Sequence, residues 1–120
     1  MGSNAMALEK DDLRATADAL IAATNAFDVE RALALFAPDA TIDDPSTGHR
    51  FDGSAGVRDY IARYFVGYRT VSRFLSLEHA GDRRARLRLD FTGDFGHEVG
   101  VLDISVDRQG LIARIDADLE

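Results

Sequence analysis

The sequence predicts an α+β domain in which three helices come first and a curled sheet of long strands follows. Apolar residues recur at spacings of three and four as far as Arg69, and from Val71 onward they alternate with polar ones. Gly- and Asp-rich breaks then cut the alternating stretch into pieces of strand length, which is the pattern of hairpin-linked strands laid over helices.

Over residues 8–27, Leu13, Ala17, Leu20, Ile21 and Phe27 share a helical face, and Glu9, Asp11 and Asp12 stand where the helix dipole favours acid. Asp28 caps a short second helix carrying Val29, Ala32, Leu33 and Phe36, which Pro38 ends because proline has no amide hydrogen. Residues 40–43 form a short strand, and Pro45 holds Asp44 extended. Residues 46–53 read as turn. Ser54 then caps a third helix bearing Val57, Tyr60, Ile61, Tyr64, Phe65 and Tyr68. Strands are expected over 71–79, 84–92, 97–106 and 111–119, with hairpin turns at 81–82, 93–96 and 107–110. Alternation turns Leu87, Leu89 and Phe91 inward.

A chain of 120 residues fits one core, so residues 6–120 are read as a single domain behind a cloning scar at residues 1–5. No signal peptide follows the scar, no apolar run approaches the roughly 18 residues of a membrane span, and there is no cysteine. The cytoplasm is the expected compartment. Fourteen basic against twenty-one acidic side chains give a net charge of -7, which disfavours nucleic acid and anionic membranes as partners. Arg83, Arg84, Arg86 and Arg88 alternate with apolar residues and read as a solvated strand face. His49, His79 and His97 lack metal-ligand spacing, and no phosphate-binding glycine loop or Gly-x-Ser-x-Gly elbow is present, so neither metal nor cofactor is expected.

Three phrases carry a family resemblance: Ala34-Leu-Phe-Ala-Pro-Asp-Ala-Thr-Ile-Asp-Asp44-Pro45, Phe51-Asp-Gly-Ser-Ala-Gly-Val-Arg-Asp-Tyr60 and Arg108-Gln-Gly-Leu-Ile-Ala-Arg-Ile115. In this order they resemble the nuclear transport factor 2-like superfamily, particularly ketosteroid isomerase and the SnoaL-like polyketide cyclases. The resemblance implies a cone-shaped, curved mixed sheet wrapped over three N-terminal helices, a cystatin-like architecture with one small-molecule pocket. It also implies a homodimer paired through sheet faces. In ketosteroid isomerase one aspartate moves a proton while a tyrosine and a protonated aspartic acid hold the enolate oxygen. By that resemblance Asp44 falls at the base and Asp103 at the protonated acid, while the helix-one tyrosine position holds Leu20 and a helix-three one holds Ile61.

The residues themselves leave alternatives open. Asp103, between Leu102 and Ile104, would stay neutral and donate a hydrogen bond if buried, or face outward and pair with an arginine across strands. Asp44 is either a general base at a pocket rim or a turn starter bonding nearby amides. Tyr60, Tyr64 and Tyr68 at helical spacing serve as core or as ligand contacts, with Tyr60, Tyr64, Phe91 and Leu20 the expected pocket walls. Arg88-Leu89-Asp90 resembles the Arg-x-Asp pair of limonene-epoxide-hydrolase-like members, with Asp116 or Asp118 as the further acid, but needs Leu87, Leu89 and Phe91 turned outward. If Asp103 faces inward, Leu102, Ile104 and Val106 need cover from a second copy. The expected function is cofactor-independent proton transfer on an apolar, carbonyl-bearing molecule, of isomerase or cyclase type. The alternative is a non-catalytic ligand-binding or dimerisation module.

Overall fold

The computed structural model describes the backbone of residues 4–120 and side chains from residue 12. The expected acids Glu9 and Asp11 and the whole of residues 1–5, read above as a scar, therefore lie outside the described side chains. Helix α1 runs Asn4–Asn25, starting earlier than the periodicity predicted and ending two residues sooner. Its buried line, Leu13, Ala17, Leu20 and Ala23, follows the helical period and faces the sheet. The ending is a Schellman turn, with Asp28 N donating to the Ala23 carbonyl at 3.0 Å, so Phe27 takes the left-handed conformation (φ 56) instead of a helical one.

Helix α2 (Val29–Leu33) has the expected cap, Asp28 accepting from the Arg31 amide at 3.1 Å. Phe36, expected on this helix, instead opens strand β1 (Phe36–Asp44), and Pro38 sits inside that strand. A register break between Phe36 and Thr41 makes this possible, because the ladder asks no amide hydrogen of the proline there.

A one-turn 3-10 helix at Pro45–Thr47 and Gly48 in the left-handed region (φ 74) reverse the chain into strand β2 (His49–Asp52). This strand lies inside the stretch read as turn. With Phe51 its one apolar residue, it offers no alternation to detect. Helix α3 spans Gly53–Ile61, and its N-cap is Asp52, not Ser54. Asp52 makes no side-chain cap because its carboxylate bonds Thr41 at 3.0 Å and Arg50 at 3.3 Å.

Strands β3 (Val71–Gly81), β4 (Arg84–Gly93), β5 (Gly96–Val106) and β6 (Ile112–Leu119) complete a six-stranded sheet ordered β2-β1-β6-β5-β4-β3. The β1–β6 pair is parallel and the others antiparallel. Register stacks the inner face in rows: Ala85, Ile104 and Ile115 in one, Leu87, Leu102 and Ala117 in the next, then Leu89, Gly100 and Leu119, then Phe91 and Glu98. All but the residues of the last row, Gly100 and Leu119 belong to the buried hydrophobic core.

The outer face is charged. Arg86 holds Asp103 through two bonds (2.8 and 3.2 Å), Arg88 holds Glu120 at 2.6 and 2.8 Å, and Arg114 reaches Asp116 at 2.9 Å. Because Leu102 and Ile104 already face the helices and Val106 packs against the same core, the case for self-association built on their exposure falls away. Burial on this inner side is also why Arg84, Arg86 and Arg88 stand in solvent.

One polar contact fastens the helical layer to the sheet edge. Asn25 Nδ2 donates to the Ser72 carbonyl at 2.9 Å and the Ser72 amide donates to Asn25 Oδ1 at 2.7 Å, so a side chain stands in for a neighbouring strand. Asn25→Ala removes both bonds and should lower unfolding free energy by about 1–3 kcal/mol in urea titrations. Asn25→Asp, which keeps only the acceptor, should fall between; an unchanged midpoint in both would show that water replaces the contact without loss.

Candidate active site

Asp44 ends β1 on the same pleat face as Ala40 and Ile42, and is itself buried at 8% exposure. Pro45 stops the strand there and starts the 3-10 turn, so the carboxylate caps that turn and faces the interior at once. Its Oδ1 accepts from the Ser46 hydroxyl at 2.7 Å and the Ser46 amide at 3.1 Å, and Oδ2 accepts from the Tyr60 hydroxyl at 2.6 Å. All three donors are neutral. Among the described residues no cation reaches this carboxylate.

Tyr60 occupies the buried face of α3 with Val57 and Ile61. Its hydroxyl is pushed well above the ordinary tyrosine range, first by burial, then by the Asp44 charge and the hydrogen bond it donates to that charge, and last by Tyr64. The ring stacks edge-on against Phe51, with centroids 5.1 Å apart.

The third helix does not continue to Tyr68 as one α-helix. It widens into a π turn at Ala62–Val66, marked by bonds of i→i+5 spacing from Gly67 N to the Ala62 carbonyl and from Thr70 N to the Phe65 carbonyl, both 2.8 Å. On an α-helix a residue five positions on points about 140° away. The wider turn brings both Tyr64 (5.1 Å) and Phe65 (6.2 Å) against Tyr60. Tyr64 then meets Tyr68, Tyr68 meets Phe95, and Phe65 meets Phe91, so the rings form one connected wall. Gly93 lets that wall close, because a Cβ there would lie 2.8 Å from the Tyr68 carbonyl oxygen and 2.9 Å from the Phe95 ring.

Between this wall and the inner face of β5 and β6 lies a cavity of about 350 Å³, lined also by Asp44, Ser46, Thr70, Glu98, Val101, Leu102, Ala117, Asp118 and Leu119. Gly100 does not line it, but lets the Phe91 ring pack down onto the sheet beside it. The row Leu89–Gly100–Leu119 lacks a side chain at its centre, and the Phe91 ring lies 3.1 Å from where a Cβ would stand.

Of the residues expected at the site, Asp44, Tyr60, Tyr64 and Phe91 line this cavity. Leu20 does not. It packs in the core beside a small void of about 20 Å³, with Tyr60, Phe65 and Leu102 separating it from the cavity. Asp103 is not there either: it lies on the outer face beside Arg86, so the two-carboxylate arrangement is not assembled. The pleat is the reason, since turning Leu102 and Ile104 inward turns Asp103 outward. The Arg88-Leu89-Asp90 pair likewise faces outward, Arg88 on Glu120 and Asp90 with Arg73 and His97.

Glu98, Ser46, Phe95 and Leu119 were missed as site residues. Glu98 was within reach of sequence reasoning, because pairing it opposite an inward Phe91 puts it on the inner face. Among the described residues, no group of three or more His, Asp or Glu is placed to hold a metal ion.

The raised Tyr60 pKa fixes a sign. Its neutral form is favoured by folding, so the stability it contributes is complete below the ordinary value of 10.0 and drains away as pH rises through the folded value. Ultraviolet titration should therefore show one late phenolate step that is absent from Tyr60→Phe, and unfolding midpoints should begin to fall above about pH 10. A Tyr60→Phe curve superimposable on the parent would remove the buried hydrogen bond from the description.

The SnoaL-like domain family matches residues 17–115. No functionally curated protein matches the sequence. Among solved structures, a candidate ketosteroid isomerase from Kribbella flavida DSM 17836 is similar at TM-score 0.79 and 24% identity, over 92% of this chain and 78% of that one. An NTF2-like protein of unknown function from Cytophaga hutchinsonii ATCC 33406 superimposes at TM-score 0.75 with 13% identity, covering 89% and 88%. RV0760c from Mycobacterium tuberculosis, in complex with estradiol-17beta-hemisuccinate, gives TM-score 0.76 and 19% identity, covering 88% and 92%. At these identities the structural matches speak for the fold, a three-helix, mixed-sheet cone of the nuclear transport factor 2-like type, while the sequence match across most of its length makes this chain a member of the SnoaL-like domain family.

Proposed function

We propose that this chain is a small-molecule-binding domain, acting in the cytoplasm, that takes an apolar ligand into the aromatic cavity and seats one polar group of it at Asp44 and Tyr60. The carrying observation is the pairing of a buried carboxylate at one end with an apolar rim at the other. Tyr68, Phe95 and Leu119 all line the cavity, yet are 45%, 41% and 45% exposed. Large side chains left partly in water around a concave opening gain from a ligand that covers them. The steroid carried by the Mycobacterium tuberculosis neighbour supports a ligand of that apolar character.

Proton transfer with Asp44 as base is the second reading, and Asp44's place in the cavity wall favours it. Against it stands the donor inventory. Asp103 is outside, and Tyr60 already gives its hydrogen to Asp44, leaving the Tyr64 and Tyr68 hydroxyls to hold a developing oxyanion. Pairing of two copies through the sheet's outer face, implied by the family resemblance, stays part of the proposal. The docking surface would then be the charged one.

Estradiol should bind at one site, measured by quenching of tyrosine fluorescence, and Leu119→Trp should abolish binding by filling the rim while leaving the fold intact. No saturable binding by the parent overturns the reading. Conversion of a β,γ-unsaturated ketosteroid to its conjugated isomer, read by ultraviolet absorbance and lost in Asp44→Asn, would replace it with the catalytic one.

A further inference from the structure

Resting on the binding reading, we infer that the cavity selects apolar molecules bearing a protonated amine, with the ammonium held at Asp44 against the tyrosine rings and Glu98 adding negative charge at the exposed end. Three observations carry this. Asp44 is a buried carboxylate whose three partners are all neutral, whereas buried charges in proteins are as a rule matched by an opposite charge. One acceptor position of Oδ2 is still open, since Tyr60 takes one of its two lone pairs. The missing counter-charge is what a cationic ligand brings.

Glu98 is the second observation. It sits across from Phe91 on the inner face, lines the cavity, and makes no hydrogen bond or ion pair to any described residue. The outer face differs sharply, with Asp103, Asp116, Asp90 and Glu120 each against an arginine. The Gly100 row separates the row of Glu98 from that of Leu102 and Ala117, and Asp44 lies one residue past the Asp43–Asp116 pair, at the end of the latter row. The two carboxylates are therefore two rows and two strands apart, Asp44 buried in the cavity and Glu98 at its exposed end.

The third is the wall. No lysine, arginine or histidine lines the cavity, so nothing in it competes with an incoming cation or welcomes an anion. Tyrosine and phenylalanine faces attract cations through their quadrupoles, and more strongly once water is excluded. A ligand carboxylate or phosphate meets only like charge and ring faces. The chain's net charge of -7 adds a long-range field of the same sign.

The test uses a matched pair, tryptamine and indole-3-ethanol, which differ in an ammonium against a hydroxyl on one skeleton. The protein contains no tryptophan, so indole fluorescence reports the ligand alone. At neutral pH tryptamine is protonated and should bind at least about tenfold more tightly than the alcohol. Glu98→Gln, an exposed rim substitution, should lower that ratio, and Asp44→Asn should lower it further by weakening tryptamine more than the alcohol. Equal affinities for the pair while estradiol still binds overturn the amine preference and leave the binding reading standing. A preference that survives Glu98→Gln and Asp44→Asn unchanged also overturns it. Absence of binding by all three compounds overturns both.

Discussion

The inner-face register of β4, β5 and β6 is the constraint from which the rest of this structure follows. Leu87, Leu102 and Ala117 share one row and Ala85, Ile104 and Ile115 the next, and each row is buried against the helices. Burying a leucine-sized side chain is worth about 1.5–3 kcal/mol, so slipping any of these strands by one residue would expose several such groups together. The residues that alternate with them along each strand are thereby committed to the other side. Asp103 is the plainest case: its identity and sequence position match a family acid, and its parity places it in solvent beside Arg86.

The same register makes the cavity. A sheet with a large apolar residue at every inner position would be filled, as it is at Leu87 and Leu102. Gly100 leaves the third row without a central side chain, which the Phe91 ring covers, and the π turn after α3 carries Tyr64, Phe65 and Tyr68 into the cavity wall. π turns inside helices are uncommon and recur at functional sites, because the extra residue re-aims the side chains that follow it. Here it turns an ordinary amphipathic helix into one wall of a pocket. Gly93 keeps that wall and the β4–β5 turn in contact.

Charge is sorted by face as a result. The outward pairs Arg86–Asp103 and Arg88–Glu120 cost little because both partners keep much of their water. Asp44 relies on a tyrosine, a serine hydroxyl and a backbone amide, and Glu98 has no partner among the described residues. Asp90, Asp103, Asp116 and Glu120 each meet an arginine, whereas Asp44 and Glu98, in the cavity wall, meet none among the described residues.

Sequence by itself determined the order of elements, the helical and alternating halves, the inward turn of Leu87, Leu89 and Phe91, and the outward arginines, because each rests on a local period that burial then enforces. It also pointed to Asp44, by a family resemblance, and to Tyr60 and Tyr64, by a helical spacing, all three of which line the cavity. It did not reach β2, whose four residues carry one apolar side chain, or the π turn, which no residue type announces. Whether Asp103 faces in or out was already contained in the alternation of Leu102 and Ile104, and was obscured by matching residue identity to a family position without matching its parity. Only tertiary structure decided that Asp44 and Tyr60, sixteen positions apart, share a hydrogen bond, and that Glu98 looks into the same space. Those facts depend on where a parallel strand pair and a widened helical turn bring distant backbone together, and no local pattern encodes that distance.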